Sequence, residues 1–296
     1  MARGRTARGL WRWVLGAAVI AGLAALMLFV TGYREALRDP VVRHREMVLP
    51  GWPAGEPPVR LVLISDIHVA WPDMPPARVQ HIVGQINALK PDVVLIAGDI
   101  ASGRLLAVHY SKAEVVGALR GLKARHGVFA VYGNHEHRLG PVDFRRELTK
   151  LGIRTLVNDA ADAGPLVIGG VDDDTSNHAE LGQTQQRAQA LAKARGGAPI
   201  VLFTHNPGIF PWMSEDIPLM LAGHSHCNQI RLPGIHMAAL GYLGGASPCG
   251  VSWLGRRTLI VTAGLGVGGP LMRFNAPPDL WVVTVGGARA GAIARP

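Results

Sequence analysis

LVLISDIH, residues 61–68, is an apolar run that stops on an acid and, two positions later, a histidine. Its length and its Val, Leu and Ile content read as a strand buried inside a sheet. The same phrase recurs four times, as VVLIAGDI (93–100), VFAVYGNHE (128–136), IVLFTHNP (200–207) and LMLAGHSH (219–226). Each run therefore delivers a polar donor where a buried strand should end: Asp66 and His68, Asp99, Asn134, His205, then His224 and His226.

Working outward, short apolar runs also occur near 166–171, 258–262 and 280–285, and all have strand length. Amphipathic helices are expected at 76–89, 112–125, 142–151 and 179–194. Early alternation of strand and helix implies right-handed crossovers and a largely parallel sheet. The later, strand-rich part suggests a second sheet packed on the first, so the fold class is α/β.

A chain of 296 residues, 48% of them apolar, is long enough for one substantial core. The formal charge of +9 is carried mostly by Arg and favours anionic partners: phosphates, acidic headgroups or nucleic acid. No Arg/Lys run interleaved with aromatics and no zinc-finger or RNA-binding signature is present, which makes specific nucleic-acid recognition the weakest of the three. Cys227 and Cys249 are the only cysteines, and either a single bridge or two free thiols fits them.

Residues 1–12 form a basic tail with Arg3, Arg5, Arg8 and Arg12, and 13–30 an apolar stretch without charge. A stretch of that length reaches the ~17 to 25 residues of a membrane span and lacks the polar stripe of a core helix. It exceeds the ~7 to 15 residues of a signal-peptide core and has no clear small-x-small cleavage site, so an uncleaved single-pass anchor is expected. Arg34, Arg38, Arg43 and Arg45 match the arginines before the span, leaving the positive-inside count tied. The free amino terminus and the cost of translocating an Arg-rich tail favour a cytoplasmic N-terminus, an inner-membrane location and an extracytoplasmic domain. Pro40, Pro50, Pro53, Pro57 and Pro58 then suggest an extended tether over 31–58, ahead of a globular domain at 59–286 and a tail at 287–296.

Taken singly, the donor blocks are weak: an Asp can cap a loop, an Asn can form a turn, a His can be structural. Together they are specific. On an extended backbone Asp66 and His68 would point the same way, and Gly98 would let the chain turn to expose Asp99. A carboxylate such as Asp99 can bridge two cations, and with Asp66 it supplies two negative charges against four positive ones, leaving a cationic centre suited to phosphate.

The pattern D-x-H, G-D, G-N-H-E, H and G-H-x-H resembles the calcineurin-like metallophosphoesterases over 59 to about 285. GVDD (170–173), QIRLPG (229–234) and RFNAPP (273–278) resemble the bacterial YkuE/YaeI-type branch, whose members are membrane-associated phosphodiesterases. The resemblance implies a four-layer α/β/β/α sandwich of two mixed sheets, and two divalent ions (Mn, Fe or Zn). It makes Asp66, His68 and His226 ligands of one metal, Asn134, His205 and His224 ligands of the other, and Asp99 the bridge. His135 is implied as the histidine that contacts phosphate and assists the leaving group, with Glu136 orienting it. The implied reaction is in-line attack of a bridging hydroxide on phosphorus. Glycines usual after G-H-x-H in this branch are replaced here by Cys227 and Asn228.

Arg231 and Arg273 are candidates for gripping a substrate phosphate or carboxylate. The apolar segments at 71–76, 208–213 and 237–245 either form a rim facing the bilayer, pointing to a lipid-linked or amphipathic phosphate ester, or pack beneath the loops. His44, His81, His109, His126, His137, His178 and His236 are expected on loops or the surface, and Asp172, Asp173 and Asp174 in a solvated loop. A nonspecific phosphodiesterase or nuclease, and a metal-binding scaffold without turnover, are the competing readings.

Overall fold

The computed structural model describes residues 3–232, 235–236 and 249–287. Strands β1 (Val41–Val48), β2 (Val59–Ile64), β3 (Val93–Ala97), β4 (Val128–Val131) and β5 (Arg154–Thr155) precede β6 (Asp159–Ala163), β7 (Leu166–Gly170), β8 (Ile200–Phe203) and β9 (Leu219–Ala222). A hairpin of β10 (Arg231–Leu232) and β11 (Ile235–His236) follows, then β12 (Gly250–Leu254), β13 (Arg257–Val261) and β14 (Asp279–Gly286). The helices are α1 (Arg3–Leu37), α2 (Pro76–Ala88), α3 (Lys112–Gly117), α4 (Asn134–Leu139), α5 (Pro141–Lys150) and α6 (Leu181–Ala194).

Two six-stranded sheets result, ordered β1-β14-β2-β3-β4-β5 and β12-β13-β9-β8-β7-β6. Both are mixed: β2, β3, β4 and β5 run parallel, while β14 is antiparallel to β2 and β12 to β13. Side-chain alternation sorts the core into layers. Val62, Ile64, Val94 and Ile96 face α2, α3 and α5 through Val79, Ile82, Val116 and Phe144. Their neighbours Leu61, Leu63, Leu95 and Phe129 face the second sheet through Ile168, Val201, Phe203 and Leu221. On the far side, Val167, Leu202 and Met220 pack against Ala188 and Ala192 of α6. Strands buried on both faces explain why the runs are continuously apolar rather than alternating. The expected α/β/β/α sandwich, preceded by an apolar helix, is the observed fold.

Two expectations change. The helix expected over 112–125 ends at Gly117, although its start is fixed by a Ser111/Glu114 capping box. Gly121, at φ +86°, turns the chain away instead. The larger change concerns 31–58. Helix α1 continues to Leu37 and β1 is a full edge strand paired in parallel with β14, so only 38–40 and 49–58 run without regular structure. Proline spacing misled here because Pro40 and Pro50 flank β1 rather than interrupt it.

Candidate metal centre

All five donor blocks lie at one edge, where β2, β3, β4, β8 and β9 end. The extended backbone expected at Asp66 and His68 does not form. Asp66, His68, Asp99, His224 and His226 all take positive φ, between 47° and 66°. Each left-handed L-residue costs on the order of 1–2 kcal/mol, a strain typical of functional turns. It lets the chain fold back over the sheet edge and aim consecutive side chains inward. Gly98 shows how tightly these turns nest, because a Cβ there would lie 2.6 Å from the Gly133 nitrogen and 2.9 Å from His205 Nδ1.

Asp66 Oδ2 accepts from Ser65 Oγ (2.6 Å) and the His224 amide (2.9 Å), while its buried Oδ1 has no hydrogen-bond partner. His68 Nε2 and His226 Nε2 are 3.1 Å apart, at 3.9 and 3.4 Å from that oxygen. On the other side, His205 Nε2 and His224 Nδ1 are 3.0 Å apart, and the buried Oδ1 of Asn134 is also unpartnered. Asp99 Oδ2 stands between, 3.7 Å from His68 Nε2 and 3.4 Å from His205 Nε2. The groups Asp66/His68/His226 and Asp66/Asp99/His205 each place their donor atoms within 4.8 Å of one another.

The chemistry of this donor set fits divalent metal. His68 Nδ1 lies 3.2 Å from the Ala101 carbonyl and His205 Nδ1 lies 2.8 Å from the Ala97 carbonyl, so each Nδ1 carries a proton as donor. Their Nε2 lone pairs then face each other's neighbours and a carboxylate, an arrangement that needs positive charge at its centre. The two imidazoles are perturbed in opposite directions. Burial pushes His68 down to about 3, whereas for His205 burial is overridden by Asp99, which pushes it up to about 10.

His135 opens α4 beside Asn134. Its amide donates to Asp99 Oδ1 (2.9 Å), its Nε2 is 3.7 Å from Asp99 Oδ2, and its Nδ1 is unpartnered. Burial lowers its pKa despite Asp99. Glu136 is fully buried and accepts from the amides of Asp99, Gly133 and Ala101 at 2.8–3.0 Å, binding the G-D and G-N-H-E turns together. Burial and then Asp99 push its carboxyl up to about 7.

The two arginines are not brought together. Arg231 is exposed on the β10–β11 hairpin. Arg273 is fully buried, contrary to a substrate-gripping role: its guanidinium donates to the carbonyls of Ala276, Ala263, Gly264 and Gly266 and reaches 3.4 Å from His226 Nδ1. Its Nη groups are committed to these carbonyls and hold the loop behind His226, while its buried Nε has no partner.

Other residues depart from the expected surface positions. His137 is largely buried, contacts Asp172 Oδ1 at 2.9 Å and stacks on His178 with centroids 3.9 Å apart. Asp172 and Asp173 are buried rather than solvated, and the buried Oδ1 of Asp173 is unpartnered. The signal was present, since GVDD follows strand β7 as the five donor blocks follow theirs. Cys227 and Cys249 are joined in a disulfide beside His226. Of the apolar segments, 71–76 and 208–213 bury Met74, Ile209, Phe210 and Met213 and expose Trp71, Pro211 and Trp212. Segment 237–245 lies outside the described residues.

A two-sheet sandwich whose strand ends converge His, Asp and Asn donors defines a metal-dependent phosphoesterase class. The family model for calcineurin-like phosphoesterase matches residues 59–228, and the chain belongs to that family of phosphoester hydrolases. It is 30% identical over 275 residues to a "Transmembrane protein with metallophosphoesterase domain" of Danio rerio, covering 88% of this chain and 61% of that protein. An "Uncharacterized metallophosphoesterase" of Aquifex aeolicus is 29% identical, covering 77% and 85% respectively. Among solved structures, a 5'-nucleotidase precursor from Thermus thermophilus aligns with a TM-score of 0.45 at 16% identity, over 77% of this chain and 55% of that one. Helix α1 includes a segment, Trp11–Leu37, long and apolar enough to cross a membrane; with the transmembrane relatives it points to a membrane protein.

Proposed function

We propose that the chain is a membrane-anchored phosphodiesterase or pyrophosphatase that hydrolyses a lipid-linked or otherwise amphipathic phosphate ester at a two-metal centre. The observation that supports it most is the pair of unpartnered buried oxygens, Asp66 Oδ1 and Asn134 Oδ1, supplied by two different donor blocks. Two divalent ions, for which Mn, Fe or Zn suit a His, Asp and Asn mixture, would supply positive charge to the phosphoryl oxygens and acidify a water.

Asp66, His68 and His226 would hold one ion, Asn134, His205 and His224 the other, and Asp99 both. His135 keeps an unpartnered ring nitrogen in the site and places a proton near the leaving oxygen. Glu136 positions that residue by tying its turn to the Asp99 turn. The GVDD and RFNAPP stretches support the YkuE/YaeI-type branch. The Cys227–Cys249 bond, with the N-terminal charge argument, supports an inner-membrane anchor with the domain in an oxidising, extracytoplasmic compartment.

The test is metal content per chain for the purified full-length protein, with rates on p-nitrophenyl mono- and diesters in solution and on a phosphodiester presented in vesicles. Two ions per chain and preferred turnover of the vesicle-borne diester are expected. One ion per chain, or no turnover of any ester, would overturn the reading.

A further inference from the structure

The donor edge of the sandwich is also the edge at which the anchor joins the domain. Val41, the first residue of β1, pairs with Asp279, and Trp281 two residues later pairs with Leu63 near the end of β2. Strand β1 therefore begins level with Ser65, one residue before the first metal-ligand candidate. Just upstream, α1 is clamped to the domain. The Arg273 amide donates to the Gly32 carbonyl (2.9 Å), and Arg78 donates to the carbonyls of Ala36 (3.0 Å) and Arg38 (2.9 Å). Gly32 is buried against Phe274 and Met272, so the domain starts within two residues of Val30, the end of the uncharged apolar stretch. Two helical residues rise only about 3 Å, which leaves no spacer.

At this same edge, a loop after β3 carries unexplained apolar surface. Leu105 and Leu106 are 95% and 94% exposed, Val108 is 60% exposed, and Trp71 beside it is 56% exposed. The loop is held in place rather than free. Bridges join Val69 to Ala101 and Trp71 to Val108, Arg104 pairs with buried Asp73, and Arg78 donates to the Asp73 carbonyl while gripping the end of α1. Gly103, at its base, lies against the His135 ring. Isolated exposed apolar residues are ordinary, but a fixed cluster between a membrane span and a catalytic candidate is not.

We infer that Trp71, Leu105, Leu106 and Val108 form a bilayer-contact surface that seats the domain with its metal-centre edge against the membrane. The inference rests on α1 being a span and is independent of what the substrate is. Trp at an interface with aliphatic side chains dipping into the acyl boundary is the composition such a surface requires. The far edge provides the control: Leu254, at the β12–β13 turn, lies at the other end of a five-residue strand, roughly 17 Å further from the bilayer.

The native cysteines are paired, so a single introduced thiol can be spin-labelled. The experiment compares full-length Leu106→Cys and Leu254→Cys in nanodiscs of phosphatidylethanolamine and phosphatidylglycerol, by collision with oxygen and with a water-soluble nickel chelate. The expected result is a several-fold lower nickel accessibility and higher oxygen accessibility at 106 than at 254. Equal nickel accessibility at both sites would overturn the inference. A Leu105→Asp/Leu106→Asp double variant separates the two readings. Shielding at 106, with rates on vesicle-borne and soluble diesters both unchanged in the double variant, supports the contact surface and removes the lipid-substrate reading. An exposed label overturns the surface whatever the rates.

Discussion

The two halves of the donor set differ in enclosure. Asp66, His68 and His226 are all buried, and behind His226 stands a fully buried Arg273 whose Nη groups donate to carbonyls. Across Asp99, His205 is buried, but Asn134 and His224 are partly exposed. One half is thus more enclosed than the other, and His135, itself buried, packs edge-on against His68 with ring centroids 4.8 Å apart. In the proposed two-metal reading, the closed half would retain its ion and the open half would meet the arriving phosphate.

Three substitutions test that division. Asp99→Ala removes the group common to both halves, so turnover of p-nitrophenyl phosphodiesters should disappear and metal content should fall; full activity would sink the proposed site. His135→Ala removes the ring that packs beside Asp99 and His68 without removing a proposed ligand. It should keep its metal content and lose rate by ~10²–10⁴-fold, the usual weight of a positioned proton donor, and loss of metal instead would make His135 a ligand. Arg273→Met acts behind the closed half. Metal affinity should drop by about 10–100-fold for one ion while the second titrates as before, and an equal loss of both would erase the distinction between halves.

Much of this was legible in residue order. The five apolar runs could be read as buried strands because a parallel sheet covered on both faces demands continuous aliphatic sequence, and their ends could be read as donor sites. Arg273 could not be placed, because an arginine that clamps carbonyls and one that grips phosphate look identical in sequence. Three consecutive acids suggest a solvated surface loop for Asp172; His137, whose ring lies 2.9 Å from its Oδ1, and Asn158, whose Oδ1 accepts from its amide, make it an interior residue instead. The junction at 31–48 was hidden for a related reason. A polar, arginine-containing segment such as VVRHREMV is a plausible tether until β14 supplies the ladder that makes it an edge strand.

What the sequence determined by itself was the class of chemistry: His, Asp and Asn at strand ends, with the apolar periodicity that puts those ends on sheets. What only the tertiary structure decided was which donors share a half and which way the site faces. His68 and His226 are 158 residues apart and meet at 3.1 Å only because two separate sheets pack with their donor-bearing ends aligned. The left-handed turns, the clamp on α1 and the apolar loop beside His135 follow from the same alignment, since each depends on contacts between segments that no local pattern links.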